Sequence, residues 1–420
     1  MPPALICLSH LRWDFVYQRP NHLMARAARD RRVYFVEEPA GTDGKPFLEK
    51  HEVDGVTVVR PHLPEGLPET EVAHALERLV EDLVASERIT DPWLWYYTPM
   101  AMRWTRGLDA SAVIYDCMDE LSAFRDAPPE LVALERQLFS RADVVFTGGR
   151  SLYEAKARQH PRVHAMPSAV DVAHFARARR PGTDPADQAG IPHPRIGYYG
   201  VIDERIDLDL ITDVARLRPD WQLVLVGPVA KLAPDEVPTG DNIHRLGLKQ
   251  YADLPEYLRG WDVAIMPFAL NDATRYISPT KTPEYLAGGT PVVSTAVRDV
   301  VHPYEDLGLV RIAGTAEEFV DAIEAALGDD VADLQKRADS VLAQMSWDAT
   351  WARMHGIVRS AVAERATAPV PATATRPQPQ PVLRPAGGMG AAMGSTAARR
   401  PIAPTAAQRR QSTPATRVGS

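Results

Sequence analysis

Ser278-Pro-Thr-Lys-Thr-Pro-Glu-Tyr-Leu-Ala-Gly-Gly-Thr-Pro-Val-Val-Ser-Thr295 combines a helix start, a helix stop and a buried strand in one short segment. Proline lacks an N–H and fits best in a first helical turn, so Pro283 predicts a helix that begins near residues 280–282 with a threonine as N-cap. Gly288-Gly289 ends that helix after about two turns. The apolar pair Val292-Val293 then reads as a buried strand. Ligands of open parallel sheets bind where strand ends meet helix starts, so this segment is a candidate binding site.

Polar groups at the start of this helix favour a phosphorylated ligand. Lys281 and Glu284 are three residues apart, which places both side chains on one face. Free N–H groups and a lysine suit phosphates, and a carboxylate suits sugar hydroxyls, with Ser278 and Thr280 beside them. The alternative is a capped surface helix that carries a Lys–Glu pair.

The overall charge argues against nucleic-acid binding. Formal net charge is −8 for 420 residues, but residues 366–420 contain seven arginines and neither acids nor lysines. Residues 1–365 therefore hold 40 basic against 55 acidic residues, a net of −15. A folded part this acidic is a poor partner for nucleic acid.

The two cysteines, Cys7 and Cys117, lie in apolar runs and predict neither a disulfide framework nor a zinc site. The N-terminus lacks a charged leader region, and no stretch approaches the roughly 20 apolar residues that a membrane span needs. We expect a soluble, cytoplasmic protein.

Strands alternate with helices twice along the chain, which predicts α/β architecture with two doubly wound parallel sheets. Low apolar content and several helix breakers mark a linker between them. From Ala366 onward, proline, alanine and arginine dominate and aromatic residues disappear, which predicts a disordered tail. A sharper alternative for the tail is electrostatic attachment to an anionic membrane or partner. The predicted boundaries are 1–176 for the first domain, 177–194 for the linker, 195–345 for the second domain, 346–365 for a helix that crosses back, and 366–420 for the tail.

The turn after the strand that ends at Gly200 offers a second cation. Arg205 lies just beyond this strand, so Arg205 and Lys281 are predicted to approach one crevice as a diphosphate-binding pair. Alternatively, Arg205 pairs with Glu204 or Asp209 on the surface. Asp207 and Asp209 have the spacing of a metal site, but both begin a helix, where N-capping is the commoner role. We therefore predict no metal.

Polar residues also follow two strands of the first half. Asp116 and Asp119 come at a strand's carboxyl end and are either an acceptor site with a general base or turn and cap residues. His10 follows the first strand, where a polar ligand residue is plausible. No Ser-His-Asp or Cys-His set, Walker loop or Gly-x-Gly-x-x-Gly fingerprint follows any strand. Hydrolase, nucleoside triphosphatase and dehydrogenase functions are therefore disfavoured.

Pro279 to Thr295 resembles the donor-binding motif of GT-B glycosyltransferases, in particular the retaining family 4 group, and the resemblance covers residues 4–360. The opening segments are similar to the subgroup of teichuronic-acid-type transferases. The other segments that carry the resemblance are Ser9-His-Leu-Arg-Trp-Asp14, Gln18-Arg-Pro-Asn-His22, Ser168-Ala-Val-Asp171, Gly197-Tyr-Tyr-Gly200, Leu254-Pro-Glu-Tyr-Leu258 and Trp261-Asp-Val-Ala-Ile-Met-Pro267.

This resemblance implies a GT-B fold with the nucleotide sugar in the C-terminal domain and the acceptor in the N-terminal one. Glu284 matches the second glutamate of the family's Glu-x7-Glu motif, which holds the ribose hydroxyls. The first glutamate falls on Tyr276, for which Asn271, Asp272 or Arg275 are candidate substitutes. The family's arginine after the glycine turn falls on Val201, which leaves the phosphates to other cations.

We therefore predict a metal-independent, retaining glycosyltransferase that needs no cofactor besides its UDP- or GDP-sugar donor. The acceptor is a cell-surface glycan or a glycolipid, and peripheral association with the cell membrane is part of this hypothesis. The rivals are an inactive GT-B scaffold that binds sugar nucleotide and a GT-B sugar-nucleotide epimerase. The predicted site residues are Arg205, Lys281 and Asp119 for catalysis; Gly200, Arg205, Ser278, Thr280, Lys281 and Glu284 for the donor; and His10, Arg19 and Asp116 for the acceptor.

Overall fold

The computed structural model describes residues 2–233 and 236–367, which contain two separate β-sheets. The first is nine-stranded, with the order β3-β5-β2-β1-β6-β7-β8-β9 and β4 paired with β5. Every pairing in it is parallel except β4 with β5. Its strands are β1 (Leu5–Leu8), β2 (Val33–Val36), β3 (Ala40–Thr42), β4 (Phe47–Val53), β5 (Val56–Pro64), β6 (Trp93–Tyr96), β7 (Ala112–Cys117), β8 (Val144–Thr147) and β9 (Val163–Ala165).

Alternating residues of the central strands enter two different cores, which is why these strands are apolar throughout. On β1, Leu5 and Cys7 join one cluster, and Ile6 and Leu8 join another. Successive side chains of a strand point to opposite faces, so both faces of this sheet are covered. The prediction of a doubly wound sheet is confirmed.

Helices from both ends of the chain cover the first sheet. The Met354 and Val358 side chains, near the end of the described chain, belong to the same core cluster as Leu5. The Trp351 ring lies 5.9 Å from that of Trp95 on β6. The helices before the second sheet are α1 (Arg19–Ala27), α2 (Glu69–Ser86), α3 (Met102–Thr105), α4 (Leu131–Arg141), α5 (Arg150–Lys156) and α6 (Val172–Phe175).

The second sheet is six-stranded and wholly parallel, with the order β12-β11-β10-β13-β14-β15. Its strands are β10 (Arg195–Tyr199), β11 (Gln222–Val226), β12 (Ile243–Gly247), β13 (Val263–Met266), β14 (Val292–Ser294) and β15 (Arg311–Ile312). The remaining helices are α7 (Leu208–Leu217), α8 (Leu254–Arg259), α9 (Lys281–Gly288), α10 (Arg298–Val300), α11 (Ala316–Leu327), α12 (Val331–Leu342) and α13 (Trp347–Thr367). Short 3-10 or π turns span Pro99–Ala101, Leu121–Ala123, Ala176–Arg179, Tyr251–Asp253 and Val301–Glu305.

The opening segment folds largely as predicted, into α9 and β14. Gly289 ends α9 with a φ of 83°, a left-handed conformation that glycine adopts without strain. A threonine, Thr280, occupies the N-cap position as predicted, but its side chain makes no capping hydrogen bond. Its hydroxyl instead interacts with the Glu284 carboxylate.

Two parts of the sequence behave differently from a simple alternating pattern. The edge strands β3 and β4 were not predicted, since neither has a buried residue and the middle of β4 is a run of four polar or charged residues, Glu49 to Glu52. The predicted tail begins at residue 366, but α13 extends to Thr367, and 368–420 lie outside the described residues. Within the described part of the chain, no helix combines the length and apolar content needed to cross a membrane.

Candidate functional site

A cavity of about 410 Å³ lies between the carboxyl ends of the two sheets. Loops that follow β1, β7 and β8 line one side, and loops that follow β10, β11, β12 and β13 line the other. Parallel sheets expose free loop backbone and helix starts at this edge, which is where their ligands bind. The lining includes nine of the ten residues predicted for the site, namely His10, Arg19, Asp119, Gly200, Arg205, Ser278, Thr280, Lys281 and Glu284.

Lys281 lies directly against the glycine turn after β10. A Cβ on Gly200 would fall 2.3 Å from Lys281 Cε and 2.8 Å from Nζ, and the φ of Gly200 is +142°. Only glycine therefore lets the lysine stem cross this turn. Lys281 has no ion-pair partner within 4.0 Å among the described residues, and burial lowers the pKa of its ammonium. A half-buried cation that forms no direct ion pair at a helix start attracts an anionic ligand.

Glu284 projects into the same cavity one turn further along α9. The Tyr199 hydroxyl donates a 2.8 Å hydrogen bond to its Oε2. Burial raises the pKa of this carboxyl to about 7, although Lys281 and the hydrogen bond oppose that effect. Glu284 therefore changes its charge near neutral pH.

Arg205 reaches the cavity, but its partner is neither of the two proposed from sequence. Its Nε and Nη2 donate to the Asp203 carboxylate at 2.9 and 2.6 Å. Asp203 is only two residues away and is almost buried, so it shapes the turn and fixes the guanidinium plane. The Phe124 ring of the opposite half of the chain lies 5.6 Å from Arg205 Cζ.

Asp119 and His10 lie on the side of the cavity that belongs to the first sheet. Burial raises the pKa of Asp119, while the nearby cations, Arg205 before Arg19, lower it. Its carboxylate forms no ion pair within the described part of the chain. Burial lowers the pKa of His10 to about 4, and its Nδ1 is buried without a hydrogen-bond partner. His10 and Asp119 thus both line this side of the cavity.

Arg19 and Asp116 satisfy each other beneath the cavity. Arg19 Nη2 lies 2.9 Å from Asp116 Oδ1, and the two side chains are 1% and 0% exposed. Arg19 Nη1 also donates a 2.7 Å bond to the Met166 carbonyl. Asp116 does not line the cavity at all. This buried pair ties α1 and β7 to the residue that follows β9, and the acceptor role of Arg19 and Asp116 stays a prediction.

Several cavity-lining residues were not predicted as site residues, although Tyr198 and Tyr199 lie in the segment Gly197-Tyr-Tyr-Gly200. Tyr276 and its candidate substitutes Asn271, Asp272 and Arg275 do not line the cavity, and Tyr276 packs against the core of the first sheet. The unpredicted polar and aromatic lining residues include Phe124, Tyr198, Tyr199, Asp203, Lys231, Lys249 and Tyr251.

The Asp207 carboxylate accepts a 2.9 Å hydrogen bond from the Leu210 backbone and thereby caps α7. Over residues 2–233 and 236–367, no group of three His, Cys, Asp or Glu side chains is arranged to hold a metal ion. Cys7 and Cys117 are both free and buried.

Comparison with known proteins agrees with this geometry. Residues 193–329, which include the second sheet, match the family model described as "Glycosyl transferases group 1". The chain is 26% identical over 239 residues to the "Putative teichuronic acid biosynthesis glycosyltransferase TuaH" of Bacillus subtilis strain 168. That match covers 53% of this chain and 60% of TuaH.

Solved structures share the fold across nearly their whole length. Sucrose-phosphate synthase of Thermosynechococcus elongatus matches with a TM-score of 0.67 at 17% identity, covering 86% of this chain and 99% of that one. HepE of Anabaena, solved with UDP and glucose, matches at 0.61 and 15% identity, covering 85% and 99%. The E. coli trehalose-6-phosphate protein bound with UDP-2-fluoro glucose matches at 0.62 and 12%, covering 85% and 99%. The predicted GT-B fold is confirmed.

Proposed function

We propose that this chain, whose residues 193–329 form a group 1 glycosyltransferase domain, transfers a sugar from a UDP- or GDP-sugar to a cell-surface glycan or a lipid-linked acceptor. The observation that carries the proposal is the Lys281 ammonium. It lies against Gly200 at the start of α9, inside the cavity, and forms no ion pair within 4.0 Å among the described residues. Three further features extend this proposal to the donor, the chemistry and the acceptor.

The donor's diphosphate would lie against Gly200, Ser278, Thr280 and the first turn of α9. Backbone N–H groups and a lysine are the donors that phosphates take at such a turn. Glu284, held by Tyr199, would accept hydrogen bonds from the ribose hydroxyls. Arg205 adds a second cation whose orientation Asp203 already fixes.

In the reaction, an acceptor hydroxyl forms a bond to the anomeric carbon while the bond from that carbon to the diphosphate oxygen breaks. The bonding electron pair leaves with the diphosphate, whose added charge Lys281 and Arg205 stabilise without a metal. Asp119 takes the hydroxyl proton, and His10, which lines the same side of the cavity, helps to position the acceptor. Retention of anomeric configuration belongs to this proposal through the family resemblance.

Apolar side chains at the cavity mouth favour an acceptor that carries an apolar portion. Phe15 and Leu248 line the cavity on opposite sides and are 43% and 46% exposed. Leu121 and Phe124 continue this surface inward. A lipid-linked saccharide would place its sugar near Asp119 and its lipid chain along these residues. The name of TuaH, which refers to teichuronic acid biosynthesis, supports a cell-envelope acceptor.

Turnover of UDP- and GDP-sugars by the full chain, with and without lipid-linked saccharide acceptors, tests the proposal. Lys281→Ala should lower transfer about 100-fold or more, since a group that stabilises a developing charge contributes 10²–10³ in rate. The exposed Lys336→Ala is the matched control and should behave like wild type.

Three results would contradict the proposal. Unchanged transfer by Lys281→Ala removes that lysine from the site. Binding of a sugar nucleotide with no turnover under any acceptor supports a scaffold instead. Conversion of the donor to its epimer in the absence of acceptor supports an epimerase.

A further inference from the structure

One carboxylate of the second half of the chain caps a helix of the first half. Asp299, on α10, accepts hydrogen bonds from the backbone N–H groups of Arg150 at 2.8 Å and Ser151 at 3.0 Å. The Ser151 hydroxyl donates to the same carboxylate. Asp299 is 8% exposed, so water competes little for these bonds. The two halves therefore meet through a buried, charge-assisted contact.

The turn before α5 approaches this carboxylate so closely that a side chain does not fit. A Cβ on Gly149 would fall 2.2 Å from Asp299 Oδ2 and 2.6 Å from Ser278 Cβ. The φ of Gly149 is −161°, an extended value that any residue adopts. Glycine is required here because a Cβ would not fit, and not because of the backbone angle.

The preceding glycine makes an equally close contact on its other side. A Cβ on Gly148 would fall 2.4 Å from the Met118 carbonyl oxygen and 2.9 Å from its Cα. Met118 immediately precedes Asp119, and Ser278 leads into Lys281. The Gly148-Gly149 turn is thus packed between the loop that carries the proposed base and the segment that carries the proposed diphosphate cation.

We infer that Asp299 and the Gly148-Gly149 turn are positioning residues that set the separation of Asp119 from Lys281. This inference rests on the proposed function, because the proposed function places Asp119 on the acceptor side and Lys281 on the donor side of one reaction. In the proposed reaction, Asp299 and Gly149 contact no substrate. They hold the acceptor side and the donor side at one spacing, and a misplacement of about 1 Å can cost about 100-fold in rate.

A distance measurement tests the inference without any activity. Both native cysteines are buried, so cysteines introduced at the exposed positions Glu81 on α2 and Glu317 on α11 can carry a fluorophore pair in the full chain. Asp299→Ala, which removes the cap without adding bulk, should lengthen or broaden the distance distribution, and so should Gly149→Ala. The control Gly107→Ala, whose nearest neighbouring atom would be 3.9 Å away, should not. Wild-type distributions in both test variants would overturn the inference.

Kinetics then separate positioning from donor binding. Both variants should lower kcat for transfer about 100-fold while the dissociation constant for UDP changes less than about threefold. A parallel loss of UDP affinity would overturn the positioning role and assign these residues to the donor site. If the wild-type chain transfers no sugar, the proposed function fails, and the distance measurement still decides whether the contact sets the spacing.

Discussion

Replacing Asp116 by alanine should destabilise the protein strongly, although its carboxylate lies outside the cavity. Arg19 Nε contacts its two oxygens at 3.2 and 3.1 Å, and Nη2 contacts Oδ1 at 2.9 Å. After substitution, the guanidinium would keep the Met166 carbonyl at 2.7 Å but would lose its counter-ion at a site that is 1% exposed. Breaking a buried ion pair on one side costs about 3–5 kcal/mol, because an uncompensated charge stays buried.

Urea unfolding followed by circular dichroism measures this cost as a lower transition midpoint. Asp213→Ala is the matched control, since its pair with Arg216 leaves the two side chains 50% and 69% exposed. An exposed pair contributes below about 1 kcal/mol, so the control should unfold near the wild-type midpoint. If Asp116→Ala instead keeps wild-type stability and raises only KM for the acceptor, the structural role is wrong and the acceptor-binding prediction for Asp116 stands.

Three further predictions concern the cavity. Affinity for UDP-glucose should rise as pH increases through about 7, because Glu284 ionises there and its carboxylate then accepts charge-assisted hydrogen bonds. Isothermal titration calorimetry across pH 6–8 measures this rise. Glu284→Gln should make the affinity independent of pH over that range. The folding stability of the ligand-free protein should change in the opposite direction. Because the pKa of Glu284 is higher in the folded than in the unfolded state, its contribution to stability is lost as pH rises from the unfolded pKa toward about 7. Gly200→Ala should weaken UDP binding at least about tenfold by displacing Lys281, whereas Gly356→Ala, with open space around it, should not; equal affinities would refute the packing argument. Chelation with EDTA should leave transfer unchanged within about twofold, because the diphosphate charge is stabilised by Lys281 and Arg205; a loss that Mg²⁺ restores would contradict a metal-independent site.

Local sequence patterns predicted those parts of the site that a few neighbouring residues control. Proline and paired glycines delimit α9, and the spacing of Lys281 and Glu284 puts both in the cavity. The same patterns did not predict strand β4. It pairs with a single strand, β5, and most of its side chains are exposed. A strand without a buried face needs no apolar alternation, so its sequence carries little strand signal.

The sequence by itself determined the two parallel sheets, the GT-B fold and the helix start at Lys281, since apolar runs, helix breakers and the family motif act over short stretches. Tertiary structure alone decided the charge partners. The Asp116 carboxylate pairs with the Arg19 guanidinium across 97 positions of the chain, and the Asp299 carboxylate accepts a hydrogen bond from the backbone N–H of Arg150 across 149. Ion pairing and desolvation depend on which loops the fold brings together, and that information is absent from any local pattern. The same dependence left Lys281 with no ion pair within 4.0 Å among the described residues, while Arg19 is paired with Asp116.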